Sequence, residues 1–211
     1  MQYEVKSFEH LLGTKGMSDA LLNNHFKLYE GYVTNFNKLN DTLVAMEKEG
    51  KFGTPEFSEL NRRLGWEWNG MRLHELYFGN MTKGGSALSG DSELRKKIIA
   101  EWGSFEMWEK DFRAMGAMRG IGWVILYYDR NHNKARINAD RENADSADRG
   151  RLFNVWVNEH DVGHLAGATP LLVMDVFEHA FVLDYGLNRA GYINAFMNAI
   201  GWREAERRLM K

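Results

Sequence analysis

Hydrophobic positions in the first third of the chain recur with a helical period. Apolar or aromatic side chains at every third or fourth position predict a helix over residues 18–46, with Ser18 and Asp19 as candidate caps. A turn-rich break at residues 48–56 follows, and a similar stripe predicts a second helix over residues 56–79. Together these segments predict a helical hairpin at the start of the chain.

The pattern of the remaining chain changes from helical to strand-like. Residues 82–90 are rich in small polar residues and glycine and predict a linker, after which helices are predicted at 92–102 and 104–118. Three later runs are rich in β-branched and aromatic residues, as strands are: 123–128, 152–157 and 169–176. Residues 189–211 return to a helical pattern.

Helices followed by a short antiparallel sheet predict an α+β fold. We expect an N-terminal helical hairpin domain over residues 1–85 and a second domain over residues 90–211, in which helices pack with a three-stranded antiparallel sheet. The polar segment 130–150 is interpreted as an insertion into the second domain, and the KARINA stretch within it also fits a strand.

Composition and charge narrow the classes of function. The net charge of −2 argues against a general nucleic-acid binder, which needs a basic face. The absence of cysteine means that any metal site must be built from His and carboxylate, which suits iron, manganese or zinc. The charged N-terminus and the lack of a long apolar stretch predict a cytoplasmic protein that does not bind membranes, with a processed periplasmic form as the alternative.

Two of the histidines fall on the apolar stripes of the first two predicted helices. His25 lies between Leu21 and Leu28, and His74 precedes Phe78 at a spacing of four. A buried imidazole needs partners for its nitrogens, and one such residue alone would favour a core histidine bonded to a carbonyl. Two of them on successive helices favour a shared ligand site.

The segment DVFEH offers two further ligands, Asp175 and His179, where the last predicted strand should end. If the chain turns there, both side chains converge, although this spacing alone also fits an Asp that caps a turn. With His25 and His74 they form a set of three His and one carboxylate. Such a set suits a mononuclear iron or manganese centre.

The segment TPLLVMDVFEHAFVLDYGLNRAGYI, residues 169–193, closely resembles the C-terminal signature of the iron/manganese superoxide dismutases, D-V-W-E-H-A followed by D-Y and G-Y. Similar matches in the right order are YVTNFNKL at 32–39, GSF at 103–105 and GIGW ending at Trp123. The resemblance covers most of the chain, which is identified as a divergent member of the family.

This resemblance implies one iron or manganese ion per chain, with four ligands: His25, His74, Asp175 and His179. It also implies that Tyr32 is the gateway tyrosine, that Trp123 is an aromatic wall of the site, and that Glu178 reaches across a dimer to a ligand histidine of the other subunit. The implied reaction converts superoxide to dioxygen and hydrogen peroxide, and the implied assembly is a homodimer or higher homo-oligomer.

The first ligand and the gateway tyrosine are eight residues apart in the family, but His25 and Tyr32 are seven apart. Seven residues make almost two turns of a regular helix, so both side chains face the same way. A spacing of eight would need an extra residue, as in a π-bulge. We therefore infer a helix without the bulge, whereas an ungapped family register would put Asn24 in the ligand position.

Other departures surround the implied metal. Leu28 and Val182 replace a His and a Tyr that usually bond across the dimer, and losing both leaves neither unpaired. Phe177 replaces the Trp of the signature and still walls the pocket, and Leu73 replaces a usual Asn.

His160 aligns where the family often has a Gln that hydrogen-bonds the solvent at the metal, and Gly70 lies at the other position from which that Gln can come. We therefore expect His160 to supply this hydrogen bond, to carry protons together with Tyr32, and to favour iron slightly over manganese. A strand-end His that faces solvent is the alternative. The H-x-x-x-H formed with His164 lacks the Glu of a zinc protease.

Arg189 and Lys27 are candidate residues for steering the anionic substrate, with ordinary surface charge as the alternative for both. Three rival functions remain at this stage. They are a metalloprotein of the same fold with a different redox substrate, a non-catalytic metal-binding protein, and a structural protein without metal.

Overall fold

The structure of the protein is a computed structural model that describes residues 2–131 and 150–211. Nearly all of the predicted insertion, including its KARINA stretch, lies outside the described residues. The described helices are α1 (Asp19–Lys48), α2 (Pro55–Gly79), α3 (Glu93–Trp102), α4 (Phe105–Gly116), α5 (Val182–Tyr185), α6 (Arg189–Ala199) and α7 (Trp202–Leu209).

The N-terminal hairpin is formed by α1 and α2, as predicted. The Ser18 hydroxyl caps α1 by accepting a hydrogen bond from the backbone N–H of Leu21 at 3.0 Å. Thr54 caps α2 in the same way, and Pro55 opens that helix, where its missing N–H costs nothing. Helix α1 is a regular α-helix over its whole length, so the inference that it lacks a bulge is confirmed.

Three antiparallel strands form the sheet, in the order β2-β1-β3: β1 (Gly122–Asp129), β2 (Arg151–Asn158) and β3 (Thr169–Asp175). The α+β prediction is thereby confirmed. The central strand β1 is buried along almost all of its length, which explains its unbroken apolar sequence. Its register places Trp123 opposite Asp175, so the sheet itself brings an aromatic wall beside a candidate ligand.

The C-terminal helical stretch is divided, which the sequence pattern did not predict. Helices α6 and α7 are separated at Ile200 and Gly201. There the Ile200 carbonyl accepts a hydrogen bond from the N–H of Ser86, and the Gly201 N–H donates to the carbonyl of Asn80. Ser86 and Asn80 therefore bond backbone groups of Ile200 and Gly201 that a continuous helix would have used for its own hydrogen bonds.

One hydrophobic core runs through both predicted domains and includes side chains from α1, α2, the sheet and α6, among them Leu21, Phe78, Val124 and Phe196. The boundary between residues 85 and 90 stays a prediction. Within the described residues, no helix has both the length and the apolar character needed to cross a bilayer.

Candidate metal centre

Four side chains from two helices, a strand and a turn meet at one buried point between the hairpin and the sheet. They are His25 on α1, His74 on α2, Asp175 at the end of β3, and His179 in the turn that follows. Nε2 of His25 and Nε2 of His179 each lie 3.1 Å from Oδ2 of Asp175, and Nε2 of His74 lies 3.6 Å from it. The candidate donor atoms all lie within 4.8 Å of one another, a spread that one ion can bridge.

His74 shows that this cluster fits a cation. Its Nδ1 lies 2.5 Å from the carbonyl oxygen of Gly70, to which it donates, and this bond leaves Nε2 without a proton. That Nε2 is buried and has no hydrogen-bond partner among the described residues. An unprotonated imidazole nitrogen and a carboxylate that face each other repel, and a metal ion bound between them would remove this repulsion.

The protonation states of the cluster also suit a cation. Burial lowers the pKa of His25 and lowers that of His74 well below its ordinary value, so both imidazoles are neutral ligands. Burial alone would raise the pKa of Asp175, but the charge and hydrogen bonds of His179 and His25 hold it well below its usual range. The carboxylate is therefore ionised, and a set of three imidazole nitrogens and one anion suits iron or manganese.

Hydrogen bonds hold both the side chain and the backbone of Asp175 in place. Its Oδ1 accepts a hydrogen bond from the N–H of Phe177 at 2.8 Å, which directs Oδ2 towards the histidines. The hydroxyl of Tyr192 donates to its backbone carbonyl at 2.6 Å and is itself buried. After Phe177 the chain turns through a short 3-10 helix, Glu178–Ala180, and this turn brings His179 back onto the carboxylate.

Beside the cluster, the side chain of His160 is hydrogen-bonded to Tyr32 and to Trp123. Nε2 of His160 lies 2.7 Å from the hydroxyl of Tyr32, and Nδ1 of His160 accepts from the indole N–H of Trp123 at 3.1 Å. Because Trp123 occupies Nδ1 as a donor, the proton of a neutral His160 must lie on Nε2, which faces Tyr32. His160 is fully buried, so the alternative of a strand-end His in solvent is wrong. Burial lowers its pKa to about 4 and raises that of Tyr32 to about 12.

Aromatic rings close the sides of the site. The Phe177 ring stacks on the rings of both His160 and His179, with centroid distances of 4.8 and 5.1 Å. The Trp123 ring meets His74 edge to face at 5.0 Å. These rings surround the cluster with apolar surface, which strengthens its electrostatic interactions.

Gly70 lies where a side chain would collide with the gateway residue. A Cβ at this position would be 2.4 Å from a ring carbon of Tyr32. The ring of Tyr32 therefore occupies the space beside α2, where it also stacks on His74 at 5.3 Å. The Gly70 position therefore has no room for a polar side chain, whereas His160 is hydrogen-bonded to the other end of the same tyrosine.

The structure brings most of the sequence-predicted residues together, but the two steering candidates lie apart from Tyr32. Arg189 donates to the backbone carbonyls of Met118 and Gly120 at 2.6 and 2.9 Å. Lys27 lines a separate cleft beside the N-terminal segment. Asn24 is exposed, while His25 is buried in the cluster, and Glu178 is exposed on the surface of the single chain.

Two residues near the site were missed from the sequence. The Trp66 ring meets His160 edge to face at 4.9 Å, and Tyr192 holds the backbone of Asp175. The four-residue spacing of Trp66, Gly70 and His74 along α2 is a signal that could have indicated Trp66. Tyr192 lies 17 residues beyond Asp175, and its contact with that residue depends on tertiary packing alone.

The fold and this buried cluster define an α+β protein with a candidate mononuclear metal site. A family model of the iron/manganese superoxide dismutases, C-terminal domain, matches residues 90–208. The chain is 35% identical over 198 residues to the iron superoxide dismutase of Cupriavidus metallidurans, covering 92% of this chain and 88% of that protein. It is 32% identical to the iron enzyme of Sulfolobus acidocaldarius (100% and 92% covered) and 32% identical to manganese superoxide dismutase 2 of Haloferax volcanii (86% and 80% covered). The chain belongs to the iron/manganese superoxide dismutase family.

Proposed function

We propose that this protein converts superoxide to dioxygen and hydrogen peroxide at one iron or manganese ion held by His25, His74, Asp175 and His179. The observation that carries the proposal is the convergence of three imidazole Nε2 atoms on a single carboxylate oxygen in a buried site. An iron or manganese ion bound there would supply reversible one-electron transfer.

The surrounding residues would supply protons and exclude water. Two superoxide ions and two protons give one dioxygen and one hydrogen peroxide, so protons must reach a closed site. We infer that the hydrogen-bonded pair of Tyr32 and His160 passes these protons between the outer surface and the cluster, and both groups are neutral at pH 7. Trp123 holds the tautomer of His160, and the stacked ring of Phe177 keeps the route dry.

We propose iron as the ion to test first, with manganese second. Iron and manganese relatives both resemble this chain, and neither ligand type excludes either metal. His160 in place of the usual glutamine changes the hydrogen bonding beside the metal, and such groups set which ion works. The same change favours the second candidate function, a different redox substrate at the same metal site.

We also propose a homodimer that works in the cytoplasm. Glu178 is exposed beside the ligand His179, and three exposed apolar side chains follow in the next turns: Val182, Leu183 and Leu187. Apolar side chains in one exposed segment next to a site are typical of a surface that another subunit covers. Sedimentation of the metal-loaded protein tests this assembly.

The deciding experiment measures metal content and superoxide decay after separate reconstitution with iron and with manganese. We expect about one metal ion per chain and fast decay with at least one ion, and loss of both in Asp175→Ala. The matched control is Asp41→Ala, which removes an exposed carboxylate on α1 far from the cluster. Bound metal without superoxide decay would favour the different redox substrate, and no metal with either ion would refute the site.

A further inference from the structure

The outer end of the proton route opens into a cleft of about 240 Å³, here called the Tyr32 cleft. One side is formed by α1 around Tyr32, and the other by three side chains of α2: Arg63, Trp66 and Glu67. Tyr32 and Trp66 both contact His160, the hydroxyl by a hydrogen bond and the indole by its ring. A small anion that enters this cleft therefore reaches the layer directly outside the candidate metal centre.

Arg63 is positioned over this entrance by two contacts on its own helix. Its guanidinium lies 5.1 Å above the Trp66 ring, and Nη2 donates to Oε1 of Glu67 at 2.7 Å. Spacings of three and four residues place all three side chains on one face of α2. The side chain of Arg63 keeps 39% of its exposure, so its remaining N–H groups face solvent and the cleft.

The carboxylate of Glu67 partly neutralises this positive charge. Its side chain is 9% exposed, and its second oxygen, Oε2, is buried without a hydrogen-bond partner in the part of the chain that the structure describes. A buried carboxylate beside a guanidinium cancels part of the field that the guanidinium projects.

The two cations expected from the sequence lie elsewhere, as Arg189 is bound to two loop carbonyls and Lys27 borders another cleft. We propose that Arg63 attracts the anionic substrate into the Tyr32 cleft and that Glu67 limits this attraction. This role rests on the proposed function, and it makes Arg63 the residue that sets the rate at which superoxide is captured. Electrostatic steering of this kind raises association rates and weakens with ionic strength.

The test compares Arg63→Gln with Arg62→Gln in the metal-loaded enzyme. Both substitutions remove one positive charge from α2, but Arg62 pairs with Glu59 in solvent and does not line the cleft. We expect kcat/KM for superoxide at low ionic strength to fall by about 10-fold in Arg63→Gln and by less than about 2-fold in Arg62→Gln. The difference should shrink as salt is added, with metal content unchanged. Arg63→Lys should recover most of the loss because it keeps the charge.

Glu67→Gln provides a change in the opposite direction. Removing the negative charge should raise kcat/KM at low salt by about 2- to 5-fold. A second readout independent of turnover is the dissociation constant of azide, a small monovalent anion, followed by the visible absorption of the iron form. Azide affinity should fall in Arg63→Gln and rise in Glu67→Gln.

Equal losses in Arg63→Gln and Arg62→Gln, or no change in either rate or azide affinity in Arg63→Gln, would overturn the role of Arg63. A metal-loaded parent protein that does not consume superoxide would instead refute the proposed function. In that case the azide measurements alone decide whether Arg63 attracts anions to the site.

Discussion

The hydroxyl of Tyr32 and Nε2 of His160 lie 2.7 Å apart, and the ring of Tyr32 lies between the outer cleft and the ligand His74. The two residues are separated by 128 positions in the chain, and α1 and the end of β2 bring them together. Trp123 fixes the other ring nitrogen of His160, so the imidazole has one orientation available for exchange with Tyr32. The proton delivery that we propose for this pair therefore depends on the fold as well as on the two residues.

Tyr32→Phe removes the outer end of this route and keeps the ring. The ring packs on His74 and beside Gly70, so we expect metal content to stay at the parent value. Superoxide turnover should fall by about 10-fold or more because positioned proton transfer contributes about 10²- to 10⁴-fold in enzymes. Tyr29→Phe is the control, since its hydroxyl bonds Glu75 on the same hairpin outside the route. Unchanged turnover in Tyr32→Phe would refute the proton route.

The variants His160→Gln and His160→Leu distinguish the hydrogen-bonding role of the side chain at position 160 from its role in filling space. Glutamine can still donate to and accept from its neighbours, whereas leucine leaves the Tyr32 hydroxyl and the Trp123 indole without their partner. We expect His160→Leu to lose about 10- to 100-fold in turnover with metal retained, and His160→Gln to keep most of it. The measurements are steady-state kinetics and metal analysis. Equal activity in both variants would show that His160 serves packing only.

Gly70→Ala tests the close approach of Tyr32 to α2. The added methyl group would meet the Tyr32 ring at 2.4 Å, so the ring must shift. We expect a loss of about 1–3 kcal/mol in the free energy of unfolding, together with lower turnover. Gly65→Ala on the same helix has open space around its Cβ, and we expect its free energy of unfolding to rise by up to about 1 kcal/mol. Denaturant titration measures the free energy of unfolding of both variants. Equal values would contradict a clash between the methyl group added at position 70 and the Tyr32 ring.

Removal of the metal should lower the thermal stability of the protein, in part because it leaves a ligand nitrogen of His74 without a partner. Without an ion, the buried Nε2 of His74 has no hydrogen-bond partner among the described residues. A ligand that binds only the folded state stabilises it by mass action, about 4 kcal/mol at a thousand times its dissociation constant. We expect a chelator to lower Tm markedly in the parent protein and hardly at all in Asp175→Ala. An equal effect on both would mean that the chelator acts elsewhere.

The sequence alone determined the α+β class, most of the elements and the set of candidate ligands. Helical stripes with Ser18 at the start of α1 gave bounds within two residues of those observed, because caps and periodicity are local signals. The spacing of seven between His25 and Tyr32 required a regular helix, which the structure has. His25 and His74 were selected because both fall on apolar stripes of successive helices, and the segment DVFEH, with its resemblance to the family signature, added Asp175 and His179 to the set.

Only the tertiary structure decided how these elements meet. The break between α6 and α7 depends on hydrogen bonds from a linker that is more than 100 positions away. The pairing of Trp123 with Asp175 comes from strand register, and the tautomer of His160 comes from Trp123. The choice of Arg63 over Arg189 as the residue at the entrance depends on which helix face borders Tyr32. Periodicity fixes which side of an element is apolar, but the distances between elements arise from packing, so sequence pattern alone could not supply them.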